Sequence, residues 1–332
     1  MSIISVSEKL GVPKYKQIVS SIEDGLSSGL LKKGDKLPSI NSIRNKFDLS
    51  RDTVLMAFNE LKMRGIVESI SGKGYYVKSE DIGVKQKIFL LFDELNAFKE
   101  ELYYAFLQEL DDDIQVDIFF HHFSFNVFQK HIYDSIGNYN YYVVMPANLP
   151  DTHLVLDKLP EDKVYLLDQT SKELAHFPSV HQNFEETIFS NLKDAFHLIE
   201  KYEKITLLFS DIKQPKGVIS GFQKFEKSVD FPCDIIDSLK YRDIKKGEVY
   251  VVLDDRDLIF LIKKIKEQNY KVGEDVGIIS YNDTLLKEVV ENGITTISTD
   301  FKTMGKRLAQ MLANNEKLNV ENPNTLIIRN SL

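Results

Sequence analysis

From residue 87 onward, short apolar runs alternate with longer amphipathic stretches, and this alternation limits the chain to few architectures. The runs are Ile88–Phe92, Val116–Phe120, Tyr141–Met145, Val164–Leu167, Ile205–Phe209, Val249–Leu253 and Val276–Ile279. Helical patterns lie between or after them, near 95–110, 126–136, 184–202, 215–228, 256–269 and 301–314. Continuous apolar strands separated by helices predict a parallel sheet covered on both faces. Seven or more such strands in about 245 residues exceed one ordinary core and predict two α/β lobes. In open parallel sheets, ligands bind beyond the carboxyl ends of the strands. The residues after each run are therefore the candidate cleft.

Those positions carry neutral and acidic hydrogen-bonding groups. They are Asn96 and Phe98, then His121 and His122, then Asn148, Asp168-Gln169, Ser210-Asp211, Asp254-Asp255-Arg256 and Asn282-Asp283. Carboxylates and amides grip polyols in pairs, and an aromatic ring covers the apolar face of a sugar. Asp254 and Asp255 read as neighbours at the end of a strand, pointing to opposite faces, which argues against a shared acid–base pair.

The first eighty residues differ in pattern and in charge. The 332-residue chain has a formal charge of −8, yet residues 1–80 hold 13 basic and 9 acidic side chains. A basic head on an acidic body points to a nucleic-acid-binding module. Pro13 opens a helix with Ile18, Val19, Ile22 and Leu26 on one face, and Gly29 and Gly34 punctuate its end. Ser39 is placed to cap a short helix carrying Ile40, Ile43 and Phe47. Asp48-Leu49-Ser50 makes a turn, Ser50 caps a second helix with Val54, Phe58 and Leu61 inward, and Gly65 ends it. Residues 66–70 and 75–78 alternate like strands about Ser71-Gly72-Lys73-Gly74, a hairpin with Lys73 at its tip.

Residues 13–78 resemble the DNA-binding domain of GntR-type bacterial transcription regulators. The resemblance rests on Pro13, Tyr15, Gln17-Ile18, Gly34, Leu37-Pro38-Ser39, Ser50-Arg51, Thr53-Val54, Ala57, Leu61, Gly65, Gly72-Lys73-Gly74 and Val77. It implies a dimer on a palindromic operator, with DNA contacts from Ser39, Ser50, Arg51, Thr53 and the wing residue Lys73. Asn41 stands where that family usually has Arg, and Leu55 where it often has Arg; Arg44, one turn beyond Asn41, is the substitute phosphate contact. Arg51 suits guanine O6 and N7, and the helix starts at Ser39 and Ser50 suit phosphate.

Residues 87–332 resemble the periplasmic-binding-protein-like sensor of LacI-type regulators. The matching segments are Val164–Asp168, Gly221-Phe222, Val252–Asp255, Val272–Thr284, Thr295-Thr296-Ile297 and Ile328–Ser331. Carried over by position, Phe98, Asp168, Gln169, Asp254 and Asn282 are the ligand contacts, with Asn96 beside them. Val218 and Asn282 depart from that family's Arg and Asp.

The expected organisation is an N-terminal winged helix-turn-helix domain at 1–78, a linker at 79–86 and a two-lobed α/β effector domain at 87–332. The combination resembles arabinose-repressor-type regulators. It implies a transcription regulator, expected to be a repressor, with a small carbohydrate as effector and a homodimer as the working form. A sugar-binding protein or sugar-acting enzyme using its head for protein contacts is the alternative. It would show sugar turnover, or no salt-dependent affinity for duplex DNA. No cofactor, metal or membrane partner is expected. The one cysteine, Cys233, sits without an evident base and excludes a disulfide framework. The seven histidines show no metal-ligand spacing. No apolar run approaches a membrane span and no signal peptide is read, so a cytoplasmic location is expected.

Overall fold

The computed structural model describes residues 3–7, 12–210 and 213–332. Asp211, one of the positions after the fifth apolar run, lies outside them. The head comprises helices α1 (Lys14–Ser27), α2 (Ile40–Phe47) and α3 (Arg51–Met63), followed by strands β1 (Val67–Ile70) and β2 (Gly74–Val77). Ile18, Ile22 and Leu26 from α1, Ile43 from α2, and Val54, Ala57, Phe58 and Leu61 from α3 close one core with Val67 and Val77 of the hairpin. Full burial of one such aliphatic side chain stabilises by roughly 1.5–3 kcal/mol. Ser39 and Ser50 cap α2 and α3 by accepting from the backbone N–H of Ser42 and Thr53, both at 3.1 Å. Each cap is worth about 1 kcal/mol. The αL conformation of Asp48, at φ 49°, ends α2 and turns the chain into α3.

The hairpin pairs antiparallel, with Ile70 opposite Gly74. Gly72 and Gly74 take φ values of +71° and +112°, a backbone that side chains disfavour and that this tight turn requires. Tyr75 packs its ring 4.4 Å from that of Phe58, so it anchors the wing to α3.

The body is two six-stranded sheets. The first lobe contains β3 (Gln86–Phe92), β4 (Ile114–Phe120), β5 (Tyr141–Val144), β6 (Val164–Asp168) and β7 (Ser179–His181). The second contains β8 (Lys204–Leu208), β9 (Cys233–Ile236), β10 (Glu248–Val252), β11 (Gly277–Tyr281) and β12 (Thr295–Thr299). Two late strands complete them: β13 (Asn319–Glu321) joins the first sheet and β14 (Asn324–Ile327) the second. The orders are β13-β7-β6-β5-β3-β4 and β14-β12-β11-β10-β8-β9. Every pairing is parallel except β12 with β14.

The helices of the body are α4 (Ala97–Gln108), α5 (Phe125–Ser135), α6 (Thr152–Leu156), α7 (Phe184–Asp194), α8 (Phe196–Ile199), α9 (Lys216–Ser228), α10 (Asp255–Glu267), α11 (Leu285–Val289) and α12 (Phe301–Ala313). The expected helix over 184–202 is two helices, α7 and α8. The chain crosses between lobes three times: after β7, after β12 into α12, and between β13 and β14. That is why α12, late in the sequence, packs with Leu102 and Phe106 of α4 in the first lobe's core. Gly221 lies on α9 where a Cβ would meet the Glu185 carbonyl oxygen at 2.4 Å, so only glycine allows α9 to press against α7.

The linker is not a free tether. Gln86 already belongs to β3. The buried guanidinium of Arg64, the residue that closes α3, donates to the Val84 carbonyl at 2.9 Å and the Ile82 carbonyl at 3.3 Å, and pairs with Glu23 of α1. Two further contacts tie the end of α3 to the first lobe: Lys163 Nζ meets Met63 Sδ at 3.4 Å, and the Lys87 side chain lies against Gly65.

Candidate nucleic-acid interface and effector cleft

On the head, the sequence-predicted residues fall on three neighbouring features. Ser39 and Asn41 lie at the start of α2, Ser50, Arg51 and Thr53 at the start of α3, and Lys73 at the tip of the wing. All are exposed except Thr53, which is half-buried. Thr53 Oγ1 lies 2.8 Å from Ser50 Oγ, so the two hydroxyls form one polar rim where the positive end of the α3 dipole emerges. Arg51 is exposed with no side-chain partner among the described residues. Arg44 is exposed and donates Nε to its neighbour Asn45 at 3.3 Å, so its role as a phosphate contact rests on placement alone. Lys36 lies over the Tyr76 ring at 5.8 Å, adding a cation beside the hairpin that sequence reasoning did not single out.

In the body, Asp168 is the centre of the predicted cleft set. It ends β6, is buried, and takes φ +71°. Its carboxylate accepts from Gln182 Nε2. Gln182 lies at the first crossing between lobes, and its Oε1 accepts from Tyr281 of β11 at 2.9 Å and from Thr299 of β12. One carboxamide thus joins a first-lobe carboxylate to two second-lobe hydroxyls. Sequence reasoning missed Gln182 because β7 is only three residues long and carries no readable run.

A second missed feature is the buried ion pair between Lys99 on α4 and Asp93 after β3. Burial pushes the Asp168 carboxyl above the usual carboxylate range, with Lys99 opposing and Asp93 reinforcing that push. His121, fully buried after β4, shares a hydrogen bond with the Met145 carbonyl at 3.0 Å. Burial holds its pKa below the ordinary imidazole value, so it is neutral at pH 7 and donates that bond. Asn96 caps α4 by accepting from the Lys99 N–H at 3.1 Å, which orients the helix that carries Lys99. Phe98 stacks on Phe301 at 4.9 Å between centroids, so α4 and α12 share an aromatic pair.

On the second lobe, Asn282 follows β11 at φ +58° and leaves its buried side-chain carbonyl oxygen without a partner among the described residues. An orphaned buried acceptor of this kind costs free energy unless a ligand or water satisfies it. The buried Lys287 ammonium donates to the Tyr281 and Asn282 carbonyls at 2.8 and 2.6 Å and pairs with Asp255 at 2.9 Å. Burial lowers its pKa, and Asp255 opposes that shift. Asp254 and Asp255 are not strand residues as expected. Asp254 caps α10, accepting from the Arg256 N–H at 2.7 Å, and Asp255 is its first helical residue. The strand stops at Val252 because Asp254 offers the helix a better start. Asp283 faces Arg329, not the cleft: the two form a bidentate pair at 2.7 Å. Val218 is buried in the second lobe's core.

The lobes also meet across the mouth of the cleft. Asn148 Nδ2 donates to the Gln214 carbonyl at 2.5 Å. Lys213 pairs with Glu94 at 2.7 Å and lies over the Phe123 ring at 4.9 Å. A cavity of about 440 Å³ opens beside these contacts, lined on the first lobe by Asn148, His153, Gln169 and Ser171 and on the second by Lys216. Of the predicted ligand residues only Gln169 lines it; Asn96, Phe98, Asp168, Asp254 and Asn282 do not. Burial pushes the Cys233 thiol up to about 11, far from a reactive thiolate at neutral pH. Among the described residues no group of three or more His, Cys, Asp or Glu could hold a metal ion. No helix among them is long and apolar enough to cross a membrane.

Comparison with known proteins matches two separate stretches of the chain to family models. Residues 14–77 match the family described as bacterial regulatory proteins, gntR family, and residues 242–332 match the periplasmic binding protein-like domain. The mannosyl-D-glycerate transport/metabolism system repressor MngR of Escherichia coli is 40% identical over 90 residues, 27% of this chain and 35% of that protein. The arabinose metabolism transcriptional repressor of Geobacillus stearothermophilus is 39% identical over 66 residues, 20% of this chain and 18% of that protein. The chain thus spans about a third or less of the length of these two relatives. A LacI family transcriptional regulator, CCPA from Weissella paramesenteroides with bound sucrose, superimposes with a TM-score of 0.60 at 14% identity. That match covers 74% of this chain and 98% of the other. Residues 14–77 are thus similar to the gntR-family DNA-binding domain, and the body has the two-lobed fold of LacI-type regulators and periplasmic binding proteins.

Proposed function

We propose that this protein is a sequence-specific DNA-binding repressor whose operator affinity is set by a small carbohydrate held between the lobes of the body. The observation that carries the reading is the free Arg51 guanidinium at the capped start of α3, on a head whose α3 is fastened through Arg64 to the linker that enters the first lobe. Ser39, Ser50, Thr53 and the wing Lys73 fix register on phosphate, with Asn41 and Arg44 flanking them, and Arg51 reads a base edge. In the cleft, Asp168 and Gln169 from the first lobe and Asn282 and Asp254 from the second supply the acceptors that sugar hydroxyls need. Asn96 and Phe98 shape the first-lobe wall. Sugar shifts the lobes only as far as it prefers one arrangement to the other. Arg64 passes the change to α3.

The working form is a homodimer on a palindromic operator, since two equivalent heads match a two-fold site. A face for self-association is present. Leu285 is 83% and Val289 72% exposed on α11, with Leu286 beside them and Ile259 and Phe260 exposed on neighbouring α10. The Lys287–Asp255 pair joins α11 to α10, and Lys266 of α10 pairs with Glu291 in the turn just after α11. Apolar side chains so exposed on adjacent helices fit a two-fold contact with a second copy. The relatives named as repressors of sugar metabolism support a reading of repression relieved by sugar. A thermal-shift screen of the full chain against a monosaccharide panel, followed by gel shift with the sugar that stabilises it, tests the whole reading. The expected result is release of DNA by that sugar. Tighter binding with the sugar present reverses the sign, and no duplex affinity at any salt concentration overturns the reading.

A further inference from the structure

The outward face of α3 carries one exposed side chain that neither hydrogen-bonds a base nor neutralises a phosphate. The exposed residues of the helix are Arg51, Asp52, Met56 and Asn59. Met56 is 53% exposed. The buried stripe of Val54, Ala57, Phe58 and Leu61 lies on the opposite side, so Met56 contributes little to the head's core. The body holds the far end of the helix, where Lys163 meets Met63. Leu55 is half-buried and lies about 100° around the helix from Met56, so Met56 is the exposed apolar side chain among the described residues of α3.

The geometry points to Met56 as a specificity-determining residue that reads the C5-methyl group of a thymine in the operator. This rests on the proposal that α3 enters the major groove. Met56 lies five residues after Arg51, about 7.5 Å along the helix axis and about 140° around it, so the two side chains reach different base-pair steps. In the major groove the thymine methyl is the one apolar group that the four base pairs display. A thioether chain offers no donor to guanine O6 or N7, so a guanine there would lose hydrogen bonds to water without replacement. A thymine methyl instead buries apolar surface against a side chain with three rotatable bonds, which adapts to its position. The half-site should therefore pair a guanine read by Arg51 with a thymine at a different step.

The test uses the full chain and a duplex recovered by selection from a random pool. Each thymine is replaced in turn by deoxyuridine, which removes the methyl and leaves base pairing intact. The wild-type protein should lose roughly fourfold affinity at one thymine per half-site, the scale of one buried methyl. Met56→Ala, which removes the contact from both half-sites, should weaken binding to the thymine duplex by roughly fifteenfold and become indifferent to deoxyuridine at that position. Met56→Leu, which keeps an apolar side chain, should keep the sensitivity. If every deoxyuridine duplex binds wild type equally while Arg51→Ala still weakens binding, the groove reading stands and the role of Met56 is refuted. If no sequence is enriched at all, both fall together.

Discussion

The head and the body treat charge in opposite ways. In the head, the cations at the proposed contact surface are exposed: Arg51 and Lys73 meet solvent. In the body, two cations are buried and paired: Lys99 with the buried Asp93, and Lys287 with the exposed Asp255 and two carbonyls. The difference follows from the partner each surface is proposed to meet. A phosphate backbone supplies the missing charge itself, so a DNA surface keeps its cations free and gains by counterion release. A neutral polyol supplies only hydroxyls, so a sugar cleft must neutralise its own charges and hold its acceptors in place beforehand.

That comparison is broken most sharply at Arg51. Arg51→Ala should weaken operator binding by about a hundredfold in a dimer with two bidentate contacts and leave sugar binding unchanged. Fluorescence anisotropy and calorimetry read the two quantities separately. Loss of both in a folded protein would contradict the division of labour.

Asp168→Asn should weaken sugar binding by roughly ten- to a hundredfold while leaving operator affinity without sugar intact. The same change carries a pH signature. Burial raises the Asp168 carboxyl in the folded protein, so folding favours its protonated form. The stability it contributes is complete below the ordinary carboxylate range and is lost as pH rises through the raised value. The sugar-free variant should therefore melt above wild type at pH 7, and the gap should close as the pH falls into the ordinary carboxylate range. A variant that melts lower at pH 7 would show that Lys99 outweighs burial.

Arg64→Ala removes the clamp that joins the two regions. It leaves Glu23 without its partner and frees the Ile82 and Val84 carbonyls, which should cost about 2 kcal/mol of head stability in urea unfolding. Sugar should still bind, yet its effect on DNA affinity should shrink. An unchanged response to sugar would place the coupling elsewhere, for instance in the Lys163–Met63 contact. The smallest expected effect is at the wing: Lys73→Ala should make the slope of log affinity against log salt shallower by about one for each phosphate the lysine neutralises. An unchanged slope would show that the wing lysine touches no phosphate.

The same two regions differ in how much of them can be read from sequence. The head's signals are local. Ser39 and Ser50 are two caps three residues ahead of the N–H groups they satisfy, and Gly72 and Gly74 announce a tight turn. These expectations transfer to the structure almost residue for residue. The body's alternation of runs is equally legible, and each of the seven runs contributes a strand. The shape of the cleft was not legible. The buried pair that acts on Asp168 is made by Asp93 and Lys99, six residues apart across a loop and a helix start, and the link between lobes is Gln182 after a three-residue strand. Nothing in the neighbouring sequence distinguishes either from solvated surface. Asp254-Asp255 misled for the same reason: the apolar run suggested a longer strand, while the capping chemistry of Asp254 started a helix.

The central claim is that sugar in the cleft governs how the head holds DNA. Its most direct test is a titration of the full chain on a fluorescent operator duplex with increasing amounts of the sugar that raises its melting temperature. The account predicts that the complex dissociates over the concentration range in which the sugar saturates the protein, and that Asp168→Asn shifts that range upward. Operator affinity unchanged at saturating sugar would contradict it.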